Sequence, residues 1–142
     1  MDDIEEERWC IERRDEVHYY LEKEGVEFGR IGEWPAWFVA PYVSVWAVES
    51  KKAPGSIGWW AICGDLPTDY ISSDDANDPR QVLQKIAARW YEVAKYMQNG
   101  EPHPTMEIGN PEEWPTLGPL LKSRAEILKE WGNDETLWEE AF

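Results

Sequence analysis

The sequence predicts an α+β domain: a small antiparallel sheet of two or three strands, covered by N-terminal and C-terminal helices. Three observations carry this reading. A helical apolar stripe runs through the first residues, two β-branched and aromatic runs joined by a Pro-Gly turn fill the middle, and a capped helix opens at Asp78. Helix, then strands, then helices is an α+β order, not the alternating order that builds a parallel sheet.

The first helix is expected over residues 3–24. Cys10, Arg14, Val17 and Leu21 fall on one face at helical spacing, with Ile11 and Tyr20 flanking it. Gly25 suits the residue just past a helix end. Next come Trp37–Ala40 and Tyr42–Val48, rich in residues that favour strands. Pro41 between them marks a bulge, an edge or a strand start. The turn Ser50–Gly55 leads into a return strand at Ile57–Cys63, which gives an antiparallel hairpin, and a short third strand is expected around Thr68–Ser72. Both faces of these strands are largely apolar, so both must be covered.

Asp78-Pro79 reads as an N-cap followed by proline at the first helical position. Val82, Leu83, Ile86, Trp90, Val93, Ala94 and Met97 then keep a 3.6-residue period up to Asn99-Gly100. Residues 101–109 read as a loop. Asn110-Pro111-Glu112-Glu113 opens a helix that Pro115 and Gly118-Pro119 are expected to keep short. A further helix is expected from 119 to 131, and Asn133 can cap a last short one.

A chain of 142 residues suits a single domain, here residues 1–142, and buries enough surface to fold without metal or disulfide. Its net charge of −15 is uneven. Residues 1–34 hold 12 acids against 5 bases, and residues 101–142 hold 10 against 3, while the middle is near neutral. Such a field repels phosphate backbones and anionic membranes, so no nucleic-acid or membrane partner is expected. It favours a basic protein partner, or simply solubility. The acidic start MDDIEEER resembles neither a secretory nor a mitochondrial leader, and no apolar run spans a bilayer. The cytoplasm is the expected compartment, where Cys10 and Cys63 stay free buried thiols; the sequence leaves a disulfide open. Ten Trp are read first as core, and second as walls of a groove for a flat ligand.

No phosphate loop, zinc motif or nucleophile elbow is present, so neither a cofactor nor a metal is expected, and catalysis stays undecided. His18 and His103, the two histidines, read as ordinary helix and loop residues. The segment Gly29–Trp37 gathers Arg30, Glu33, Trp34 and Trp37 just before a strand. The segment Gly64–Tyr70, with Asp65, Asp69 and Tyr70, follows the return strand. If the hairpin brings its two ends together, these groups converge on a ligand pocket. The competing reading is a structural ion pair tying two loops. Arg14 lies inside the apolar stripe, so it must be paired or reach water along its stem. Glu49 and Asp65 are its expected partners, and Arg89 beside Trp90 has the same need. Glu33, Glu49, Asp65 and Asp69 are the carboxylates that an acid/base pair would draw on.

The phrases WCIERR, GRIGEWPAW, APYVSVWAVES and GWWAICGDLPTDY resemble a family of small bacterial proteins known only as a domain of unknown function. The resemblance covers most of the chain and implies a free-standing domain of this length, with no residue roles to carry over. Two functional readings follow. One is a non-catalytic acidic protein-binding or regulatory domain. The other is a small-molecule-binding domain or hydrolase with a Trp- and carboxylate-lined pocket. A homodimer covering the Trp-rich sheet face is a third arrangement.

Overall fold

The computed structural model describes residues 1–106 and 109–139, and the chain divides into two compact units, Met1–Val82 and Leu83–Phe142. The first unit is built from helix α1 (Asp3–Lys23) and strands β1 (Phe28–Ile31), β2 (Trp37–Val39), β3 (Val43–Ser50), β4 (Ile57–Gly64) and β5 (Leu66–Ser72). Five strands therefore stand where two or three were expected, and all pairings are antiparallel.

The difference begins at Pro41. The run Trp37–Val48 is not one strand. Residues Val39–Tyr42 reverse the chain, Tyr42 N–H donates to Val39 O at 2.8 Å, and the Ala40–Pro41 peptide is cis. Strand β2 thus folds back on β3, pairing Trp37 with Val45 and Val39 with Val43. The other addition, β1, pairs Phe28 with Ser50 and Ile31 with Val48. It is short and carries a glycine and an arginine, so it lacks the apolar alternation that announces a strand.

Helix α1 begins with a reciprocal cap: Asp2 accepts from Glu5 N–H, and the Glu5 carboxylate accepts from Asp2 N–H. Its buried stripe is the expected one. Val17 and Leu21 pack against Ile31, Trp46, Val48, Ala61 and Cys63 on one face of the sheet. Each such side chain contributes roughly 1.5–3 kcal/mol when fully buried. On the opposite face Val43, Val45, Trp60, Ile62 and Ile71 are buried as well. The two-faced apolar pattern is thus met by two-faced burial. Of the ten Trp, six are buried, Trp37, Trp59 and Trp131 are half-buried, and Trp34 alone is exposed. Their indole N–H groups find acceptors where burial demands it: Trp46 donates to Ser44 Oγ and Trp60 to Ala76 O, both at 2.9 Å.

Helix α2 (Pro79–Gln98) starts as its sequence predicts, with Gln81 N–H donating to Asp78 Oδ1 at 2.9 Å. In the second unit it lies antiparallel to α3 (Trp114–Asn133). A 3₁₀ turn, Pro111–Glu113, runs directly into α3. The expected break at Gly118-Pro119 does not occur. Pro119 sits inside the helix, where it forfeits one backbone bond. The buried row Trp114, Leu121, Ala125 and Leu128 outweighs that loss. Gly118 serves packing, since a Cβ there would come within 3.3 Å of Met97 Cβ. Gly132 does the same at the other end, and Gln84 Nε2 donates to its carbonyl at 3.1 Å. Asp134, not Asn133, caps the final 3₁₀ turn Glu135–Leu137. The loop expected at 101–109 includes residues 107 and 108, which lie outside the described residues. No helix among the described residues is long and apolar enough to cross a membrane.

Gly64 should prove the least replaceable glycine. Its φ is 148°, and a Cβ would stand 2.3 Å from Tyr42 O, a backbone atom that cannot swing aside. Gly25 also has positive φ, 72°, but open space around it. In urea unfolding, Gly25→Ala is expected to cost about 1 kcal/mol, and Gly64→Ala at least twice that.

Candidate functional site

The convergence expected between Gly29–Trp37 and Gly64–Tyr70 does not form. Strand order is β1-β3-β4-β5, with β2 beside β1 along the same edge of β3. Arg30, Glu33, Trp34 and Trp37 therefore belong to one edge of the sheet, and Asp69 and Tyr70 to the other. Three inter-strand steps separate those edges, about 14 Å. The expectation set the residues before Trp37 at the start of the strand that pairs with Ile57–Cys63, with Pro41 as a bulge, an edge or a strand start within the run. Because the chain reverses at Pro41, the end of β4 lies beside the start of β3, where Asp65 N–H donates to Tyr42 O.

Each group instead has a local setting. Arg30 donates to Glu33 Oε1 on the surface, with side chains 68% and 79% exposed. A pair so exposed contributes little. Trp34 meets Phe38 edge-on at 5.7 Å. Trp37 is half-buried on β2, and Glu49 lies at the end of β3 opposite Ile57. Asp65 is exposed; Asp69 is buried and accepts from Tyr70 N–H at 2.8 Å. Tyr70 packs against Tyr20 and Trp59 under α1.

Arg14 is paired, but with neither Glu49 nor Asp65. Its Nε donates to Gly32 O and its Nη2 to Ile31 O, both at 2.9 Å. The guanidinium thus takes two carbonyls at the end of β1 and fastens that strand to α1. Its place in the apolar stripe follows from this clamp.

Two contact systems lie beneath and beside α1. The first is sealed. Ser44 Oγ donates to Cys63 O and accepts from Trp46 Nε1, both at 2.9 Å, and Cys63 Sγ lies 3.4 Å from Ser44 Oγ. Burial, the largest cause, pushes the Cys63 thiol up to about 12, so it stays protonated and is a poor nucleophile. Cys10 is raised as well, by burial and by Glu6, and both cysteines are free. The second system runs across the helix. Thr68 Oγ1 donates to Glu16 Oε1 at 2.9 Å, and Glu16 Oε2 lies 3.1 Å from Arg13 Nε. The Arg13 guanidinium stands 5.6 Å from the Trp9 ring, and Trp9 faces Phe38 at 6.3 Å.

The histidines have local roles. His18 Nε2 lies 3.4 Å from Glu22 on the surface of α1. In the second unit His103 Nε2 lies 3.2 Å from Glu92 Oε1, with Thr105 Oγ1 3.3 Å from Nδ1. Thr105 N–H already donates to that Nδ1 at 3.2 Å. The arrangement ties a loop to α2; it does not leave the nitrogen clear to take a proton from the hydroxyl.

An open cleft of about 430 Å³ lies at the β3–β4 turn, and none of the expected residues lines it, although Glu49 adjoins it. Trp59 forms one side, Lys51, Lys52 and Ser56 come from the turn, and Glu27 and Asp74 also line it. The sequence held one signal for it: Lys51 and Lys52 are the only bases between residues 35 and 72. A second cleft, about 320 Å³, lies between α2 and α3 beside Ala87, Ala88 and Tyr91. Among the described residues, no group of three or more His, Cys, Asp or Glu is placed to hold a metal ion.

Fold and site together define a small α+β protein with an acidic, largely exposed first helix, a sealed polar knot beneath it and an open polar cleft at a hairpin turn. The family described as a domain of unknown function (DUF4826) matches residues 3–138, and the chain belongs to that family. No curated protein and no solved structure matches it.

Arg14→Met is expected to cost about 1.5–3 kcal/mol in urea unfolding, the range for hydrogen bonds to a charged group. Cys63 predicts a pH effect. Its folded value of about 12 exceeds the ordinary 9.0, so its contribution is full below pH 9 and is lost as pH rises toward 12. The slope is about 1.4 kcal/mol per pH unit. Tyr20, raised mainly by burial, acts in the same direction from pH 10 upward. Stability measured at pH 8 to 10 should fall, and Cys63→Ala should flatten that fall.

Proposed function

We propose that this protein is a non-catalytic acidic binding protein that works as one domain in the cytoplasm and acts on a basic protein partner. One observation carries the reading. Ten of the twelve acidic residues in positions 1–34 are exposed, among them Asp3, Glu5, Glu7, Glu12 and Asp15 on α1. Among the described residues, the ion pairs of these acids come from Arg13 and Arg30, and His18 lies beside Glu22. A surface of this kind draws a basic protein by long-range attraction and speeds its encounter. Inhibitor and immunity proteins use small acidic domains in this way, an analogy of charge and size alone.

A second reading has support in the cleft at the β3–β4 turn. Trp59 offers aromatic surface, Lys51 and Lys52 positive charge, and Glu27 and Asp74 carboxylates. A small molecule carrying both charges and a flat ring suits such a lining. This relocates the ligand reading from the dispersed set around Arg30 and Asp69.

The two readings separate in one experiment. The tagged chain is used as bait in cell extract at about 50 and 150 mM salt. The expected result is a basic protein retained in stoichiometric amount, more weakly at the higher salt as screening grows. The triple variant Glu5→Gln, Glu7→Gln, Glu12→Gln should lose at least tenfold in affinity, and Lys51→Ala with Lys52→Ala should keep it. Retention of no basic protein at either salt removes the first reading. A metabolite shift of Trp fluorescence abolished by the lysine variant supports the second.

A further inference from the structure

The outward face of α1 carries three large apolar residues among its charges. Ile4, Ile11 and Tyr19 are 70%, 55% and 70% exposed. With Arg8, Asp15, His18 and Glu22, Ile4 and Ile11 follow the alternating three- and four-residue spacing of a seam between packed helices, and Tyr19 stands beside it. This seam points away from Val17 and Leu21, which α1 buries against the sheet. Arg8 and Asp15 sit in its middle, and among the described residues neither side chain makes an ion pair or hydrogen bond. Two turns apart on one helix, they cannot reach each other.

We propose that the chain forms a two-fold symmetric dimer in which this face of α1 packs antiparallel against α1 of a second copy. The face is self-complementary in that orientation. With the two-fold axis between Ile11 and Glu12, Arg8 stands level with Asp15 of the partner subunit, and Ile4 with Tyr19 of the partner subunit. Ile11 meets its own counterpart at the centre. Symmetry repeats each pair, as an isologous contact requires. A parallel pair would set Arg8 against Arg8 and Asp15 against Asp15, whereas the antiparallel pair gives each Arg8 an Asp15, and a second copy is the occupant that supplies both. The pairing leaves Glu5, Glu7 and Glu12 flanking the seam and joins the acid of two copies into one strip. The proposal therefore goes beyond the acidic binding reading and survives its failure. A single helix pair buries less than a standard interface, so association should be weak, with Kd on the order of 10 µM.

The test is mass in solution by light scattering and sedimentation equilibrium at about 150 mM salt, where repulsion between the net charges is screened. The wild-type chain should rise with concentration from 16.6 kDa to about double. Arg8→Asp alone and Asp15→Arg alone each place like charges across the seam, and each should remain monomeric. Mixed in equal amounts they restore opposite charges in every pair and should form a heterodimer. All these positions are exposed, so far-UV circular dichroism should show native helix in each variant. A wild-type chain that stays at 16.6 kDa overturns the proposal, as does a dimer indifferent to both single changes. A mixture that stays monomeric also overturns it, because every pair across the seam then joins opposite charges. A monomer whose binding of a basic protein is lost on Ile11→Asp would assign the face to a foreign partner instead.

Discussion

Strand β3 is hydrogen-bonded along both edges and buried on both faces. β4 lies along one edge, and β1 and β2 share the other, each taking one half of its length. Ser44, Trp46 and Val48 face α1, while Val43 and Val45 face the opposite side, and all five are buried. A strand held on four sides tolerates no slip in register, because a one-residue shift would exchange its two faces. Ser44 makes the cost of a slip larger still. Its hydroxyl is satisfied only while Trp46 and the Cys63 carbonyl hold their places, and a buried polar group without partners is expensive.

Much of the fold was legible because its signals are local. Asp78-Pro79 announced α2, and Gly25 and Gly100 both take the positive φ expected past a helix end. What escaped depends on distant residues. Pro119 looked like a helix break because its penalty is intrinsic, whereas the burial of Leu121 and Leu128 that overrides it comes from packing. Pro41 was rightly read as an interruption, but nothing local distinguishes a kinked strand from a full reversal.

That reversal also decided how the expected site turned out. Arg30, Glu33 and Asp65 lie at or beside strand ends, whereas Asp69 sits midway along β5. Which ends become neighbours is a property of strand order, and strand order is set by pairings that no single segment encodes. Arg14 shows the limit from the other side. The stripe showed that the guanidinium had either to be paired or to reach water along its stem, and the structure pairs it. Backbone carbonyls are present at every residue, so the sequence could not show that Ile31 and Gly32 supply the acceptors. The cleft at Lys51 and Lys52 left a trace only in the charge distribution.

The sheet's connections have a kinetic consequence. β2, β3, β4 and β5 succeed one another through brief turns, so each pairing closes a short stretch of chain. β1 is different: Phe28 meets Ser50 only after the chain has passed through β2 and the whole of β3. Closing that longer span costs more entropy. The meander therefore has the advantage in assembling first, and α1 with β1 completes the molecule by docking onto a platform already made. The clamp from Arg14 is then a latch on the last piece to arrive.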